Sequence, residues 1–573
     1  MMTRRGLYLL LALCCAQMMC AQFTLDGKRP FYDNVERIFL LPVPEDYYGK
    51  PYTARFVRDD SVAQVVKDGR QIYDTMPFKV VKGDTTYTFA YRCNGIIRFG
   101  GVRFTFLPVM KLTGKIKNEY VVGKAFMEVP EDTIIREWNA KLKWAGGSTT
   151  MSWFHKHNYH IKFLDDTLEK MDVSFDSLRN DNHWRLDGGV IDFCRVRNKV
   201  SNGLWADMGT KPYYAEVQPN ARSYTRGFIV ELFVNERYMG FCDMAEYLDR
   251  KQMKLKKYDE EASEFHGMMW KAKDETWQTL FAADTTYDNE QEEWAGYELE
   301  YPNMEDVNPT DYHILSDAIS FVENSDDAEF REHVGEYFDL PVLRDYYVFI
   351  NVLLAVDNVC KNMIWGCYDG AEDKKLSLAV WDMDAVMGQY WNNEGAYYHT
   401  TKVAPDRDLK DVSLLSQNRL FMRLMEWPEF RHQVVDRYWE LRKDILVPDS
   451  LISRFTDLYD VLRHSGALYR ETKRFSGCSE LGGYPLDFDV ELAYVSDWLE
   501  QRIAYLDEHA FKKSVRGDVD GDGEVGISDV NALLDILLGA EVSDYMRSRA
   551  DVNEDGEVTV SDINAVINII LSI

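Results

Sequence analysis

The chain has 573 residues, of which 46% are hydrophobic, and a formal net charge of −29 at pH 7. This length predicts three or four domains, and the strong negative charge argues against nucleic acid as a partner. Beyond the N-terminal segment no apolar run is long enough to cross a bilayer, so we expect no membrane span in the mature chain.

The N-terminus has the pattern of a secretory signal peptide. Two arginines precede the apolar run 7–15, and a small-residue cleavage site ends at Ala21. A lipoprotein cut before Cys20 fits less well, because Met19 is a poor residue for that kind of site. We therefore predict a signal peptide at residues 1–21. The mature protein would be secreted, whether extracellular, cell-surface-associated or periplasmic.

The cysteines beyond this segment show no metal-binding spacing. An exported chain can oxidise some of its thiols, but a chain of this length does not need disulfides to stabilise a core. Most are therefore predicted to be buried thiols, and Cys360 with Cys367 is the first pair to test for a disulfide. The six residues are Cys93, Cys194, Cys242, Cys360, Cys367 and Cys478.

Residues 22–130 are predicted to form a β-sandwich. Segments 38–41, 85–91 and 102–106 are rich in β-branched and aromatic residues, and turn signals that contain glycine separate them. This region shows no catalytic pattern.

The next segment mixes strand and helix patterns. Residues 140–144 and 159–163 alternate like strands around a Gly-Gly turn, and residues 196–208 favour a helix. Segment 227–241 predicts a hairpin that turns at Asn235. Two lysines, Lys156 and Lys162, are placed on one predicted strand, where a separation of six residues points both side chains the same way.

The second half of the chain is predicted to be mostly helical from residue 341 to residue 515. Apolar positions recur with helical spacing in 420–439, 451–462 and 492–511. The acidic stretch 284–311 is predicted to be a solvated loop or insertion.

One group of polar residues in this half has the spacing of a phosphoryl-transfer site. Asp357 is followed by Asn362 in an Asp-x4-Asn motif, and Asp382 and Asp384 follow in Trp-Asp-x-Asp. Phosphoryl transfer needs a carboxylate for the attacking hydroxyl, and amide and carboxylate oxygens for a divalent metal. Asp-x-Asp also occurs in metal-dependent sugar transferases, and Asp and Asn are ordinary loop residues.

Two twelve-residue loops near the C-terminus have the spacing that wraps oxygen atoms around Ca²⁺. Each has oxygen-bearing side chains at positions 1, 3, 5 and 12, glycine at position 6, and a position 7 that lends its carbonyl. An apolar helical stretch follows each loop. The residues are Asp518, Asp520, Asp522, Glu524 and Asp529 in the first loop and Asp551, Asn553, Asp555, Glu557 and Asp562 in the second.

This C-terminal segment resembles a dockerin, the calcium-dependent docking module of secreted multi-enzyme systems. Both loops end in Asp instead of the usual Glu, and one helix follows each. The resemblance implies two Ca²⁺ ions and a cohesin-like partner. It also implies that loop positions 10 and 11 (Ile527 and Ser528, then Val560 and Ser561) help to select that partner. A structural cap without a partner is the alternative.

The order of motifs between residues 131 and 512 resembles the CotH (spore coat protein H) kinase family. An Arg-Asn helix at 197–203 precedes a hairpin of the form Val-Asn-x-x-Tyr-x-Gly, Glu246 and Asp249. Next come the Asp-x4-Asn and Trp-Asp-x-Asp motifs, and last a helical tail at 420–431. The family's Arg-Gly-x-Ser-Ser turn departs here to Trp144-Ala-Gly-Gly-Ser-Thr, which lacks the arginine.

The resemblance implies an atypical protein kinase that uses ATP with Mg²⁺ or Mn²⁺ on a secreted or surface protein. Asp357 would be the catalytic base and Asn362 a metal ligand. Asp382 would bind metal, with Asp384 supporting or sharing that role. Lys156 and Lys162 are the candidates for the phosphates, and Glu246 would lie where the nucleotide base binds.

The predicted fold class is multi-domain α+β. It comprises an N-terminal β-sandwich (22–130), an atypical protein-kinase-like α+β domain (131–512) and a C-terminal all-α module of paired calcium loops (513–573). Two other functions remain open. The middle domain can be a catalytically inactive scaffold in a dockerin-mediated surface assembly, or a metal-dependent sugar transferase that uses Asp382 and Asp384.

Overall fold

The chain is a mixed α+β protein that divides into two compact units. The computed structural model describes residues 23–59, 62–93, 95–132, 134–283, 293–302, 310–390, 403–513, 515–540, 542 and 544–572, so the predicted signal peptide lies outside the described residues. The first unit comprises the chain up to Val196, then Arg226–Tyr247 and Phe455–Val490. The second comprises Arg197–Thr225, Leu248–Arg454 and the chain from Glu491.

The first unit begins with short strands that form two sheets. In chain order they are β1 (Phe23–Leu25), β2 (Phe31–Asp33), β3 (Ile38–Pro42), β4 (Tyr52–Arg58), β5 (Val62–Lys67), β6 (Arg70–Ile72), β7 (Thr75–Phe78), β8 (Tyr87–Cys93) and β9 (Ile96–Thr105). One sheet has the order β1-β4-β7 and the other the order β2-β3-β9-β8-β5-β6. Both contribute to one aromatic-rich core that includes Phe23, Phe56, Phe78, Phe89 and Phe104.

The strands that follow close into a barrel with the order β10-β11-β12-β13-β14-β16-β15. They are β10 (Val109–Thr113), β11 (Val121–Glu128), β12 (Arg136–Ala145), β13 (Asn158–Leu164), β14 (His183–Asp187), β15 (Gly227–Val234) and β16 (Arg237–Glu246). Alternate side chains such as Leu142, Ile161 and Leu232 fill its interior. Two strands that the sequence assigned to the N-terminal sandwich, β10 and β11, therefore belong to the barrel.

The predicted hairpin is β15 and β16, and it turns where expected. Asn235 and Glu236 have φ of 49° and 63°, the left-handed pair that a two-residue hairpin turn needs. The strands pair in antiparallel fashion from Val234 opposite Arg237 to Gly227 opposite Ala245.

The second unit contains a sheet with the order β18-β19-β17-β20-β21. Its strands are β17 (Met268–Ala272), β18 (Glu293–Trp294), β19 (Tyr297–Tyr301), β20 (Met363–Cys367) and β21 (Leu376–Val380). The short hairpin β18-β19 falls inside the acidic stretch that was predicted to be a loop, so that prediction is wrong for residues 293–301. Every residue of β20 and β21 is buried.

Helices occupy the predicted segments, and two further helices of 12 and 11 residues, at 313–324 and 327–337, lie where the sequence predicted none. In chain order the helices are α1 (Arg197–Met208), α2 (Arg250–Met253), α3 (His313–Asn324), α4 (Asp327–Tyr337), α5 (Leu340–Leu353), α6 (Leu409–Val412), α7 (Arg419–Glu426), α8 (Pro428–Leu441), α9 (Pro448–Ser465), α10 (Ala467–Phe475), α11 (Phe488–Tyr505), α12 (Ile527–Leu537), α13 (Asp544–Ala550) and α14 (Val560–Ser572). In the part of the chain that the structure describes, no helix has the length and apolar character that crossing a membrane requires.

The prediction that most of the cysteines are buried thiols is confirmed for Cys194, Cys242, Cys360 and Cys367. The pair that was the first to test, Cys360 with Cys367, forms no disulfide, and burial raises the pKa of the Cys360 thiol to about 12. Cys478 is a partly exposed thiol.

Candidate functional site

In the second unit the Asp-x4-Asn and Trp-Asp-x-Asp motifs meet at one end of a strand pair. The first motif lies in the loop between α5 and β20, and the second follows β21 directly. Met363 pairs with Val380 in antiparallel register. That register places Asn362, just before β20, beside the residues that leave β21.

A buried asparagine that the sequence analysis missed ties the two loops together. Asn358 is fully buried, and its Nδ2 donates a hydrogen bond of 2.8 Å to the backbone oxygen of Trp381. Tyr346 on α5 donates 2.8 Å to the oxygen of Asn358 itself. In the sequence Asn358 looks like any polar loop residue, so nothing there signalled this role.

Asp357 is held by the two residues that end its loop. Asn362 Nδ2 donates 2.8 Å to Asp357 Oδ2, and Lys361 Nζ lies 3.4 Å from each carboxylate oxygen. Burial, then the negative charges of Asp382 and Glu275, raise the pKa of Asp357 to about 6 against the opposing charge of Lys361. A carboxylate with such a pKa is ionised at neutral pH and can still accept a proton.

Asn362 and Asp382 share an unusual backbone conformation. Both have φ of 56°, in the left-handed region that Asn and Asp tolerate better than other non-glycine residues. Such conformations persist where the surroundings fix them, and they concentrate at functional sites. Next to Asp382, the N–H of Met383 donates 3.1 Å to Asn198 Oδ1 on α1, which gives the Arg-Asn helix a structural role.

The donor atoms at these loops suit Mg²⁺ or Mn²⁺. Asn362 uses its Nδ2 to donate to Asp357, so its Oδ1 is the amide oxygen that could bind a metal. Asp382 adds a carboxylate, and both groups offer the hard oxygen atoms that these ions prefer. Among the described residues, Asp357, Asp382 and Asp384 do not gather three carboxylate oxygens within 4.8 Å. Mg²⁺ keeps several waters and binds substrate phosphates through few protein ligands, so a sparse donor set fits it.

Lys156, in the first unit, is completely buried in an ion-pair network. Its Nζ lies 2.7 Å from Glu471 Oε1 and 2.9 Å from the oxygen of Phe241. Arg195 Nε lies 2.9 Å from the same Glu471 oxygen. Burial lowers the pKa of Lys156, while the Glu471 carboxylate favours its charged form.

The prediction that one strand carries both lysines is wrong. Because β13 begins at Asn158, Lys156 precedes the strand and points into the network with Glu471. Lys162 lies within β13 and is half-buried, with its Nζ 4.8 Å from the centre of the Tyr120 ring. The two lysines therefore have different environments.

Glu246 is a buried anchor at the end of β16. Its Oε1 accepts hydrogen bonds from the N–H of Arg179 at 2.9 Å and from Arg226 Nη2 at 3.1 Å. Its Oε2 accepts the N–H of Arg226 at 3.2 Å. These hydrogen bonds satisfy the buried carboxylate of Glu246, so its burial is explained by contacts within the first unit.

The turn that departs from the family pattern is closed by an aromatic stack. Trp144 lies parallel to His157, with ring centroids 3.9 Å apart and planes inclined by 12°. His157 Nδ1 is 3.2 Å from the oxygen of Thr149, and Gly146 has φ of 97°. Trp144 therefore supports the turn through its stack on His157.

In the first calcium loop the backbone is already wrapped around its acidic side chains. The N–H groups of Gly521 and Gly523 donate to the two carboxylate oxygens of Asp518 at 2.8 and 3.2 Å. Asp529 is fully buried, and it accepts the N–H groups of Asp520 and Gly526 at 3.1 and 2.7 Å. Oxygens of Asp518, Asp520 and Asp522 lie within 4.8 Å of one another.

The second loop repeats three of these four hydrogen bonds at the same loop positions. Gly556 donates 2.8 Å to Asp551, and buried Asp562 accepts the N–H groups of Asn553 and Thr559 at 3.0 and 2.8 Å. In both loops the position-7 residue, Glu524 or Glu557, donates its N–H to the side chain at position 5. Carboxylate, amide and backbone oxygens in this geometry fit Ca²⁺.

The two loops exchange arginine contacts across a common core. Arg549, just before the second loop, lies 3.1 Å from Asp518 of the first, and Arg516, just before the first, donates to the oxygen of Val552 in the second. Leu533, Ile563 and other apolar side chains of α12 and α14 pack between them. The short helix α13, which the sequence did not predict, leads into the second loop.

The first loop also contacts helix α8 within the second unit. Arg431 on α8 donates to the backbone oxygen of Gly521. A side chain at position 521 would collide with the ring of His432, because an added Cβ would lie 1.8 Å from its Cε1. Gly521, with φ of 78°, therefore allows the loop to approach the helix.

We predict that the two position-12 aspartates contribute equally to calcium binding. Asp529→Asn and Asp562→Asn should each remove one site in isothermal titration with Ca²⁺, because the neutral amide keeps the size and loses the charge. Asp535→Asn, on the exposed face of α12, is the matched control and should retain both sites. Two intact sites in Asp529→Asn would contradict the assignment.

Comparison with known protein families supports both resemblances. Residues 144–506 match the model of the family described as CotH kinase protein, and residues 516–571 match that of the Dockerin type I domain. The search of curated proteins gave no match. Because the first match spans more than half of the chain, the chain belongs to the CotH kinase protein family, and it carries a C-terminal Dockerin type I domain.

Proposed function

We propose that this protein is a secreted atypical protein kinase that transfers the γ-phosphate of ATP to Ser or Thr of a secreted or surface protein. The observation that carries the proposal is the joining of Asp357, Asn362 and Asp382 at one end of the β20-β21 pair. A base and two hard-oxygen donors at one place are the parts that phosphoryl transfer requires.

In the proposed reaction the hydroxyl oxygen of the substrate attacks the γ-phosphorus of ATP, and Asp357 accepts the proton of that hydroxyl. The bond from that phosphorus to the bridging oxygen breaks, and ADP leaves. Lys361, close to both oxygens of Asp357, favours the ionised form of that carboxylate. Asn362 and Asp382 would hold Mg²⁺ or Mn²⁺, which neutralises charge on the phosphates when bound.

Lys156 is the better candidate for neutralising phosphate charge in the first unit. A lysine paired with a helix glutamate is a recurring part of protein-kinase sites, and Lys156 has that partner in Glu471 on α10. Lys162 has an aromatic neighbour instead. The contacts of Glu246 with Arg226 and Arg179 support a structural role for it over a nucleotide contact.

The C-terminal domain is proposed to bind two Ca²⁺ ions and to tether the enzyme to a cohesin-like protein. Exposed apolar residues on its helices support this role, since solvated apolar side chains in symmetric positions favour a protein partner. Ile527 is 74% exposed and Val560, its counterpart in the other repeat, is 64% exposed. Leu538 and Leu571 extend the apolar surface at the ends of the helices.

We predict that one substitution abolishes nucleotide binding and that another reduces phosphate transfer alone. ATP with Mn²⁺ should raise the unfolding temperature of the wild-type chain, and Asp382→Asn should abolish this shift because a metal ligand is lost. Asp357→Asn should keep the shift, yet reduce transfer to a Ser/Thr substrate by about 10²–10⁴-fold, the usual contribution of a general base.

Asp317→Asn, on the exposed side of α3, is the control for loss of a surface carboxylate and should behave as the wild type. A shift seen only with nucleotide sugars would replace the kinase with the sugar transferase. No shift with either class of ligand would leave the catalytically inactive scaffold.

The rate of transfer should fall as the pH drops below about 6, because the pKa of Asp357 is raised to that value and only its ionised form is a base. Lys361→Met removes a positive charge, raises this pKa and should move the acidic limb to higher pH. Glu275→Gln removes a negative charge and should move it to lower pH. Steady-state pH profiles measure these shifts, and equal profiles for all three proteins would contradict Asp357 as the base.

A further inference from the structure

A second group of metal-ligating side chains lies in the first unit. His155, Cys478 and Glu480 each offer one ligand atom, and these atoms lie within 4.8 Å of one another. His155 and Glu480 are 325 positions apart in sequence, so no spacing pattern could have predicted the group. We propose that these three side chains form a Zn²⁺ site.

The chemistry of the donors selects the metal. Thiolate and imidazole together favour Zn²⁺ over Mg²⁺ or Ca²⁺, which prefer oxygen-only donor sets. This also separates the site from the calcium loops, whose side-chain donors are all oxygens. One carboxylate beside them completes a three-residue set of the kind that zinc sites with an open position use.

The carboxylate of this group is positioned before any metal arrives. Glu480 is fully buried, and its Oε1 accepts the backbone N–H groups of His155 and Lys156, both at 3.1 Å. Its other oxygen, Oε2, faces His155 Nδ1 at 3.0 Å. Hydrogen bonds that fix one oxygen of a carboxylate and aim the other are a common support for metal ligands.

The distance between His155 and Glu480 is close to that between two ligands of one ion. In a tetrahedral site with ordinary bond lengths, nitrogen and oxygen ligands are about 3.3 Å apart, and nitrogen and sulfur about 3.6 Å. The observed 3.0 Å between His155 Nδ1 and Glu480 Oε2 is therefore slightly short. The side chain of His155 is 48% exposed, so its ring can shift outward and a water can occupy a fourth position.

Zinc at this site would join the segment before β13 to the turn after α10. Cys478 and Glu480 belong to that turn, which includes the short 3-10 helix Ser479–Leu481. His155 directly precedes Lys156, which pairs with Glu471 on α10. The ion would therefore fasten together two segments that already share a buried ion pair.

The test is titration of the full-length chain with ZnCl₂ in excess Ca²⁺, which keeps the calcium loops saturated. We expect one Zn²⁺ per chain. His155→Ala and Cys478→Ser should each lower the zinc affinity by at least about tenfold, because replacing even a residue that only supports a zinc ligand costs that much. Replacing Zn²⁺ with Co²⁺ should give a sulfur-to-metal charge-transfer absorption that Cys478→Ser abolishes.

His333→Ala is the matched control, because His333 Nδ1 lies 2.9 Å from Glu336 in an exposed His–Glu pair with no cysteine in that cluster among the described residues. It should bind Zn²⁺ as the wild type does. Glu480→Gln keeps an oxygen acceptor for the two N–H groups, so its unfolding temperature without zinc should stay near that of the wild type while zinc affinity falls. Equal zinc affinity in the wild type and Cys478→Ser, or a Co²⁺ complex without the sulfur band, would overturn the proposal.

Discussion

The two loops of the candidate site are joined by one buried amide. Asn358 donates its Nδ2 to the oxygen of Trp381, and so fixes the loop that carries Asp357 against the loop that carries Asp382. Unpaired buried polar groups cost about 1–3 kcal/mol each, so the two loops hold one another in register. Asn362 and Asp382, which lie close to this contact in the sequence, both have left-handed backbone conformations.

A comparable constraint organises the first unit around Glu471. This buried carboxylate accepts hydrogen bonds from Lys156 Nζ and from the backbone N–H of Phe241. It also forms an ion pair with Arg195. Breaking a buried ion pair by removing one partner typically costs 3–5 kcal/mol, which makes Glu471 a strong local organiser. The Asn358 hydrogen bond and the Glu471 ion pairs are both buried, and in such surroundings a polar group without a partner costs free energy of folding.

Local sequence patterns predicted the elements better than they predicted the site. Strand alternation placed β3, β8 and β13 correctly, and helical periodicity placed α9 and α11, because both depend on neighbouring residues. Glu471, the partner of Lys156, is 315 positions away in the sequence. The side chain of Asn358 donates to the backbone oxygen of Trp381, a contact that does not depend on the type of residue at position 381. Neither contact therefore leaves a local signal in the sequence. The calcium loops do leave a local signal, because all the predicted ligands of each loop lie within twelve consecutive residues, and residues 516–571 match the Dockerin type I domain.

In the proposed site, Asn362 and Asp382 hold a divalent metal while Asp357 acts as the base beside it. Anomalous scattering from crystals of the full-length chain, grown with Mn²⁺ and a non-hydrolysable ATP analogue, would locate that metal. We expect a manganese peak within coordination distance of Asn362 Oδ1 and the Asp382 carboxylate, next to the phosphates of the analogue. Manganese confined to the calcium loops, with nucleotide absent from Asp357, would contradict it.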